Sequence, residues 1–218
     1  MKNSKGKHAL KALSLKEEIG NSTTHGIMAM LILFYIPFGS VLAYQSGGWI
    51  LTVSIGIFYI SLFFMFLMST LYHAMHHNST HKSVFQILDH IAIYVAIAGS
   101  YTPVALYLIG GSLGWVIFAI QWTMVLLGIL YKSIARQSIP KLSVTIYLIM
   151  GWIVVLFLPT LIKKSNLIFL ALIGLGGILY TIGAMFYMQK HRSYFHLIWH
   201  IFINFAALAH FVAISFYL

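Results

Sequence analysis

The chain has 218 residues, of which 61% are hydrophobic and only 7% are charged, and its mean hydropathy is +0.92. Soluble domains carry roughly 25% charged residues, so this composition excludes an ordinary soluble enzyme fold and predicts that lipid surrounds most of the chain. The sequence contains no cysteine, which excludes disulfides, iron–sulfur clusters, thiolate metal sites and cysteine nucleophiles. The net charge of +10 is compatible with nucleic-acid binding or with a membrane surface, and the location of the charges decides between them.

Seven stretches reach the length of about 20 apolar residues that a helix needs to cross a bilayer. They cover residues 26–45, 49–72, 85–109, 113–131, 142–160, 166–188 and 196–217. The sequence therefore predicts an all-α, polytopic membrane protein, a seven-transmembrane helix bundle that forms one domain over residues 1–218. The first stretch follows a basic leader, residues 1–17, but its apolar run is too long for a signal peptide and no small-residue cleavage site follows it. We expect this helix to be retained.

The lysine and arginine residues predict the orientation of the bundle. Eleven of the 13 lie in the leader or in the second, fourth and sixth loops, whereas only Lys163 and Lys164 lie on the other side. The positive-inside rule then places the N-terminus in the cytoplasm and the C-terminus outside, with the protein in the plasma membrane. The excess of basic residues is explained by the orientation of the protein in the membrane and by attraction to anionic headgroups. Membrane lipids are therefore the expected partners, and nucleic acid is not.

Four ionisable residues are predicted to lie at one membrane depth, near the cytoplasmic ends of three spans. His73 ends the second span, Asp89 begins the third, and His196 and His200 begin the seventh. The i, i+4 spacing puts His196 and His200 on one helix face, about 6 Å apart along the axis. Three neutral imidazoles with one open position are the usual ligand set of a catalytic zinc site. The pattern predicts that His73, His196 and His200 bind zinc if the second and seventh spans are neighbours.

Other interpretations of the same residues remain open. Asp89 can orient or deprotonate a water molecule at the metal, or it can be a helix-start acid that the helix dipole favours. The histidines can equally form a hydrogen-bonded cluster at the membrane interface without metal. His90 points about 100° away from Asp89 on a helix, and His210 lies about 15 Å beyond His200 along the axis. Neither is expected at the metal.

Four motifs, taken in order and on one side of the membrane, resemble those of the haemolysin III family. They are Glu18-x-x-Asn21-x-x-x-His25, Ser69-x-x-x-His73, Asp89, and His196-x-x-x-His200. That family is grouped with the progestin and adipoQ receptors and, more remotely, with the alkaline ceramidases. The chain lacks the long N-terminal extension of the animal receptors, which indicates the bacterial branch and hence a bacterial cell membrane.

The resemblance implies roles for individual residues. A zinc ion would be held near the cytoplasmic face by His73, His196 and His200, with Asp89 reaching it through water. Ser69 would be the nearby hydroxyl that polarises a substrate carbonyl. The supporting residues implied by the first motif are Glu18, Asn21 and His25.

Three functions are compatible with these residues. The leading hypothesis is a zinc-dependent hydrolase of lipid amides, in which Asp89 and Ser69 are catalytic. The second is a non-enzymatic sensor or regulator of membrane lipid state or fluidity, in which a structural zinc joins the second, third and seventh helices. The third, a cytolytic pore-forming protein, rests on the family name alone. An ion-coupled transporter is disfavoured because the outer halves of the spans carry almost no charge to continue a pathway.

Overall fold

The computed structural model describes residues 13–77, 79–134, 139–189 and 192–218, and every regular element within these ranges is helical. The α-helices are α1 Leu15–Ala74, α2 Thr80–Pro103, α3 Gly111–Ile134, α4 Pro140–Trp152, α5 Leu158–Lys164, α6 Leu167–Met188 and α7 Phe195–Phe216. A π-helix, Val104–Ile109, continues α2, and a 3₁₀ segment, Ile153–Phe157, joins α4 to α5. Among the described residues, six helical units are long and apolar enough to cross a membrane. The all-helical membrane class is confirmed.

The first two predicted spans, 26–45 and 49–72, form a single helical element, α1, which is broken at Gly48. Gly48 has φ 64° and ψ −157°, a conformation that a residue with a Cβ atom rarely adopts. A straight helix of 60 residues would be about 90 Å long, roughly three times the hydrocarbon thickness of a bilayer. Instead the two arms, residues 15–47 and 49–74, fold back on each other, and the Ser22 hydroxyl donates to the Thr70 carbonyl at 3.1 Å.

The start of α1 lies well before the first predicted span. The Ser14 hydroxyl accepts the Glu17 N–H, and the Glu17 carboxylate accepts the Ser14 N–H at 3.1 Å, which is a capping box. The last residues of the predicted leader, 15–17, are therefore helical, while residues 1–12 lie outside the described ranges. Because α1 begins here, the residues of the first motif project from a helix rather than from a loop.

The span formed by α4 and α5 is interrupted by its 3₁₀ segment at mid-height. The Tyr101 hydroxyl of α2 donates to the Gly151 carbonyl at 2.6 Å and accepts the Val154 N–H at 2.9 Å. The Gln121 amide of α3 donates to the Met150 carbonyl at 3.0 Å. An unpaired backbone group in hydrocarbon costs several kcal/mol, so these bonds explain how the interruption is tolerated.

Hydrogen bonds between elements define the two ends of the bundle. At one end the first turn of α1 contacts the start of α7, since the Tyr194 N–H donates to Glu17. At the opposite end Lys164 of α5 donates to the carbonyl of Ile109, at the close of the π-helix, at 2.6 Å. The first of these ends, where both termini of α1 meet the starts of α2 and α7, is called the site end below.

Candidate metal centre

Three buried histidines from α1 and α7 meet at the site end. The Nε2 atom of His196 lies 3.2 Å from Nε2 of His73 and 3.2 Å from Nε2 of His200. Their ligand atoms all lie within 4.8 Å of one another, and the three residues are buried. The second arm of α1 and helix α7 are thus neighbours, as the predicted site requires. This group can hold a metal ion.

The hydrogen-bonding pattern around His73 favours a metal over a purely hydrogen-bonded cluster. His73 Nδ1 lies 2.5 Å from the Glu18 Oε2 atom, so in a neutral ring the proton is on Nδ1 and Nε2 carries a lone pair. His196 Nε2 lies close to the Nε2 atoms of both His73 and His200 but can make only one N–H···N hydrogen bond. One of the two 3.2 Å contacts is therefore left without an aligned donor. A metal ion accepts lone pairs from all three Nε2 atoms at once, as in the carboxylate–histidine–metal arrangement.

Glu18 and Lys82 form an ion pair next to this group. Glu18 Oε1 accepts from Lys82 Nζ at 2.8 Å, while its second oxygen contacts His73. The sequence interpretation treated Lys82 as a loop charge, which is wrong, because Lys82 lies in the first turn of α2 and is 8% exposed. The sequence analysis did not predict that the helix begins as early as Thr80. With that start, Lys82 lies two turns before Asp89 on the same helix face.

Glu17 fixes the start of the helix that carries His196 and His200. Its Oε1 accepts the N–H of Tyr194 at 2.5 Å, and Tyr194, the N-cap residue of α7, has φ 63° and makes no side-chain cap bond of its own. Glu17 therefore supplies from α1 a negative charge at the N-terminus of α7, where the helix dipole favours it. The sequence interpretation assigned no role to this residue.

The remaining residues of the first motif lie on the same face of α1. The His25 ring stacks on the His200 ring, with centroids 3.8 Å apart and an interplanar angle of 24°. Asn21, which is fully buried, lies one turn from each of its motif partners. The structure thus places Glu18 and His25 directly against the histidines of the metal group, with Asn21 between them on the helix.

Asp89 lies well inside α2 and is 6% exposed. It lies nine positions after Thr80, the first residue of the helix, which corresponds to about 13 Å along the axis, and the dipole effect is confined to the first turn. The interpretation of Asp89 as a helix-start acid is therefore wrong. Its carboxylate lies close to the Ser69 side chain and to His73.

A cavity of about 440 Å³ adjoins the metal group and is lined mainly by α2, the α4–α5 span, α6 and α7. Asp89, Ser69 and His25 line it at the site end, and Leu161 and Phe169 line it towards the opposite end. Most of the other lining side chains are aliphatic or aromatic. The carboxylate and hydroxyl nearest the histidines therefore face a long apolar chamber.

The histidines that were expected to lie away from the metal do so. His210 Nε2 lies 3.2 Å from the Ile173 carbonyl, between α6 and α7. The backbone carbonyl of His90 accepts from the Tyr147 hydroxyl at 3.0 Å. Neither belongs to the metal group found among the described residues.

Comparison with known proteins agrees with the motifs. Residues 13–211 match the family described as haemolysin-III related. Hemolysin-3 of Bacillus cereus is 37% identical over 203 residues, which cover 93% of this chain and 92% of that protein. The Hemolysin-3 homolog of Bacillus subtilis (strain 168) is 38% identical over 204 residues, with coverages of 94% and 95%. The human monocyte to macrophage differentiation factor is 29% identical over 213 residues, with coverages of 93% and 84%, in line with the relationship to the progestin and adipoQ receptors. The chain belongs to the haemolysin III family.

Proposed function

We propose that the chain crosses the plasma membrane seven times, with the site end in the cytoplasm. The two antiparallel arms of α1 count as two spans, and the α4–α5 unit counts as one. Described basic residues are concentrated at the site end, and only two lie at the other, which is the pattern of the positive-inside rule. The site-end residues are Lys16, Lys82, Lys132, Lys141 and Arg192, and the others are Lys163 and Lys164.

We further propose that the metal is zinc. Zinc binds imidazole nitrogens at about 2.0–2.1 Å in tetrahedral geometry, which separates the ligand nitrogens by about 3.3 Å. The two close Nε2 separations of 3.2 Å fit that spacing. Three protein ligands leave one coordination position open, as in catalytic rather than structural zinc sites.

The function that this geometry supports best is the hydrolysis of lipid amides. The observation that carries it is the placement of Asp89 and Ser69 on the wall of an apolar cavity, next to the three histidines. When bound, zinc polarises a carbonyl group and makes a water molecule acidic near neutral pH. An acyl chain fits the apolar part of the cavity, with the amide at its polar end.

The chain's own residues then carry the proton. Asp89 accepts a proton from the attacking water as the new C–O bond forms, and returns it to the nitrogen as the C–N bond breaks. Ser69 lies close to Asp89 on the cavity wall, and its hydroxyl donates to the substrate carbonyl as negative charge develops there. The products are a fatty acid and an amine, and water supplies the added oxygen and hydrogens.

The test combines metal content with turnover. Detergent-purified protein should contain close to one zinc per chain by mass spectrometry, and His196→Ala/His200→Ala should contain none. Asp89→Asn should keep the metal and hydrolyse long-chain N-acyl lipids about 10²–10⁴ times more slowly, the usual contribution of a general base. Equal hydrolysis by wild type and Asp89→Asn would refute this mechanism, and a folded wild type without metal would refute the metal site.

A non-enzymatic regulator of membrane lipid state is the second candidate. The observation that favours it is that the metal group joins α1 to α7, so a metal bound there stabilises the bundle whether or not it catalyses a reaction. In a deletion strain with altered membrane fluidity, full rescue by Asp89→Asn would support this candidate over the hydrolase. Because two relatives carry the name hemolysin, dye release from vesicles should be measured beside both assays, and dose-dependent release would support lysis instead.

A further inference from the structure

Lys82 uses all of its donors within the site end. Its ammonium group donates to Glu18 Oε1 at 2.8 Å and to the Tyr72 and Met75 carbonyls at 3.2 Å each. An ammonium group has three donors, so each one has a partner. The two carbonyls belong to the end of α1, directly beside His73, while Glu18 belongs to its first turn. One side chain from α2 therefore ties both ends of α1 together at the metal group.

Glu18 contacts two partners with its two oxygens. Oε2 contacts His73 Nδ1 and Oε1 accepts from Lys82. The Glu18 side chain is 15% exposed, so without its second partner the carboxylate has room to turn towards solvent. The Lys82 ammonium also lies 4.8 Å from the centre of the Tyr72 ring, which restricts the lysine in turn.

We propose that Lys82 is a positioning residue of the metal centre. By holding Oε1 of Glu18 and the last carbonyls of α1, it keeps Oε2 on His73 and thereby fixes the tautomer and the ring orientation that present Nε2 to the metal. Partners of this kind outside the ligand set change metal affinity by about 10–100-fold in characterised sites. The inference rests on the metal group and does not depend on hydrolysis.

The sign of the effect separates positioning from charge alone. A lysine beside a metal site repels the cation, so if charge were all that mattered, removing Lys82 would tighten metal binding. If Lys82 acts by positioning Glu18, its removal weakens metal binding despite the more favourable electrostatics. The two explanations therefore predict shifts in opposite directions.

The experiment uses full-length, metal-stripped protein in detergent and titrates Zn²⁺ against a competing chelator. Lys82→Met should bind Zn²⁺ about tenfold more weakly than wild type, while Lys82→Arg, which keeps a cation and several donors, should recover most of the loss. Lys16→Met is the matched control, because it removes the same charge from an exposed position in the first turn of α1 and should leave the affinity unchanged. If Lys82→Met is not monodisperse, Lys82→Gln replaces it in the same titration.

A double-mutant cycle with Glu18→Gln shows whether Lys82 acts through Glu18. If it does, the double mutant loses no more affinity than Glu18→Gln alone, because interacting residues are not additive. Co²⁺ in place of Zn²⁺ should also show a changed visible spectrum in Lys82→Met, which a purely structural role at the helix end would not produce. Unchanged or tighter binding by Lys82→Met, or additive losses in the cycle, would overturn the proposal. Absence of hydrolysis by wild type would leave it standing.

Discussion

The bond between Glu17 and the start of α7 should be a measurable part of the stability of the protein. Glu17→Ala removes half of the capping box with Ser14 and also the acceptor of the Tyr194 N–H. Loss of a cap costs about 1 kcal/mol, and a hydrogen bond to a charged group contributes about 1.5–3 kcal/mol. The free energy of unfolding should therefore fall by about 2.5–4 kcal/mol.

Ser14→Ala is the matched control for this prediction. It removes the local cap but keeps Glu17 available to Tyr194, so it should cost only about 1 kcal/mol. For chains of this length 1 kcal/mol corresponds to about 2–4 °C in melting temperature, which gives a drop of about 2–4 °C for Ser14→Ala and roughly 5–15 °C for Glu17→Ala. Unfolding followed by tryptophan fluorescence, with a chelator present so that metal does not contribute, measures both. Equal melting temperatures for the two variants would show that the contact with α7 contributes nothing.

Three further measurements test the helix packing, the hydrogen bonds of the interrupted span and the metal group. Gly176→Ala should destabilise the protein by about 1–3 kcal/mol, because its Cβ would collide with the ring of His210, whereas Gly174→Ala has open space and should be neutral or stabilising in thermal unfolding. Tyr101→Phe should cost about 1–3 kcal/mol by leaving a carbonyl and an N–H of the interrupted α4–α5 span without their partner, and an unchanged melting temperature would contradict that assignment. Zn²⁺ at about 100 times its dissociation constant should stabilise wild type by about 2.7 kcal/mol and His196→Ala/His200→Ala not at all, as melting with and without chelator will show.

The sequence was sufficient to predict the metal group because its signals are local and repeated. His196 and His200 share a helix face through their spacing alone, and His73 was placed at the same depth by the length of its apolar span. Both signals survive errors of a few residues in the span boundaries. These patterns did not predict that α1 and α7 are neighbours. The 3.2 Å contacts between the histidine rings show that they are.

The first turn of α1 was placed outside the helix because hydropathy averages over a window. Residues 15–25 are polar on the face that packs against the histidines, so the average falls although the segment is helical. A local signal was present, since Ser14 followed three residues later by Glu17 is a capping-box pattern. A local pattern cannot predict which residues of distant segments come into contact. Glu18 contacts His73, 55 residues further along the chain, and Glu17 contacts Tyr194, 177 residues further along.

The location of the acidic residues indicates which end of the bundle is functional. The chain has only three, Glu17, Glu18 and Asp89, and all three lie at the site end. Glu17 accepts from the start of α7, Glu18 contacts both His73 and Lys82, and Asp89 lies close to Ser69 on the cavity wall. Carboxylates within membrane helices are costly and are retained where they act. Since no carboxylic side chain lies elsewhere in the chain, charge-removing substitutions at Glu18 and Asp89 should alter the metal centre and its cavity, whereas removal of the Glu17 charge should weaken the contact between α1 and the start of α7.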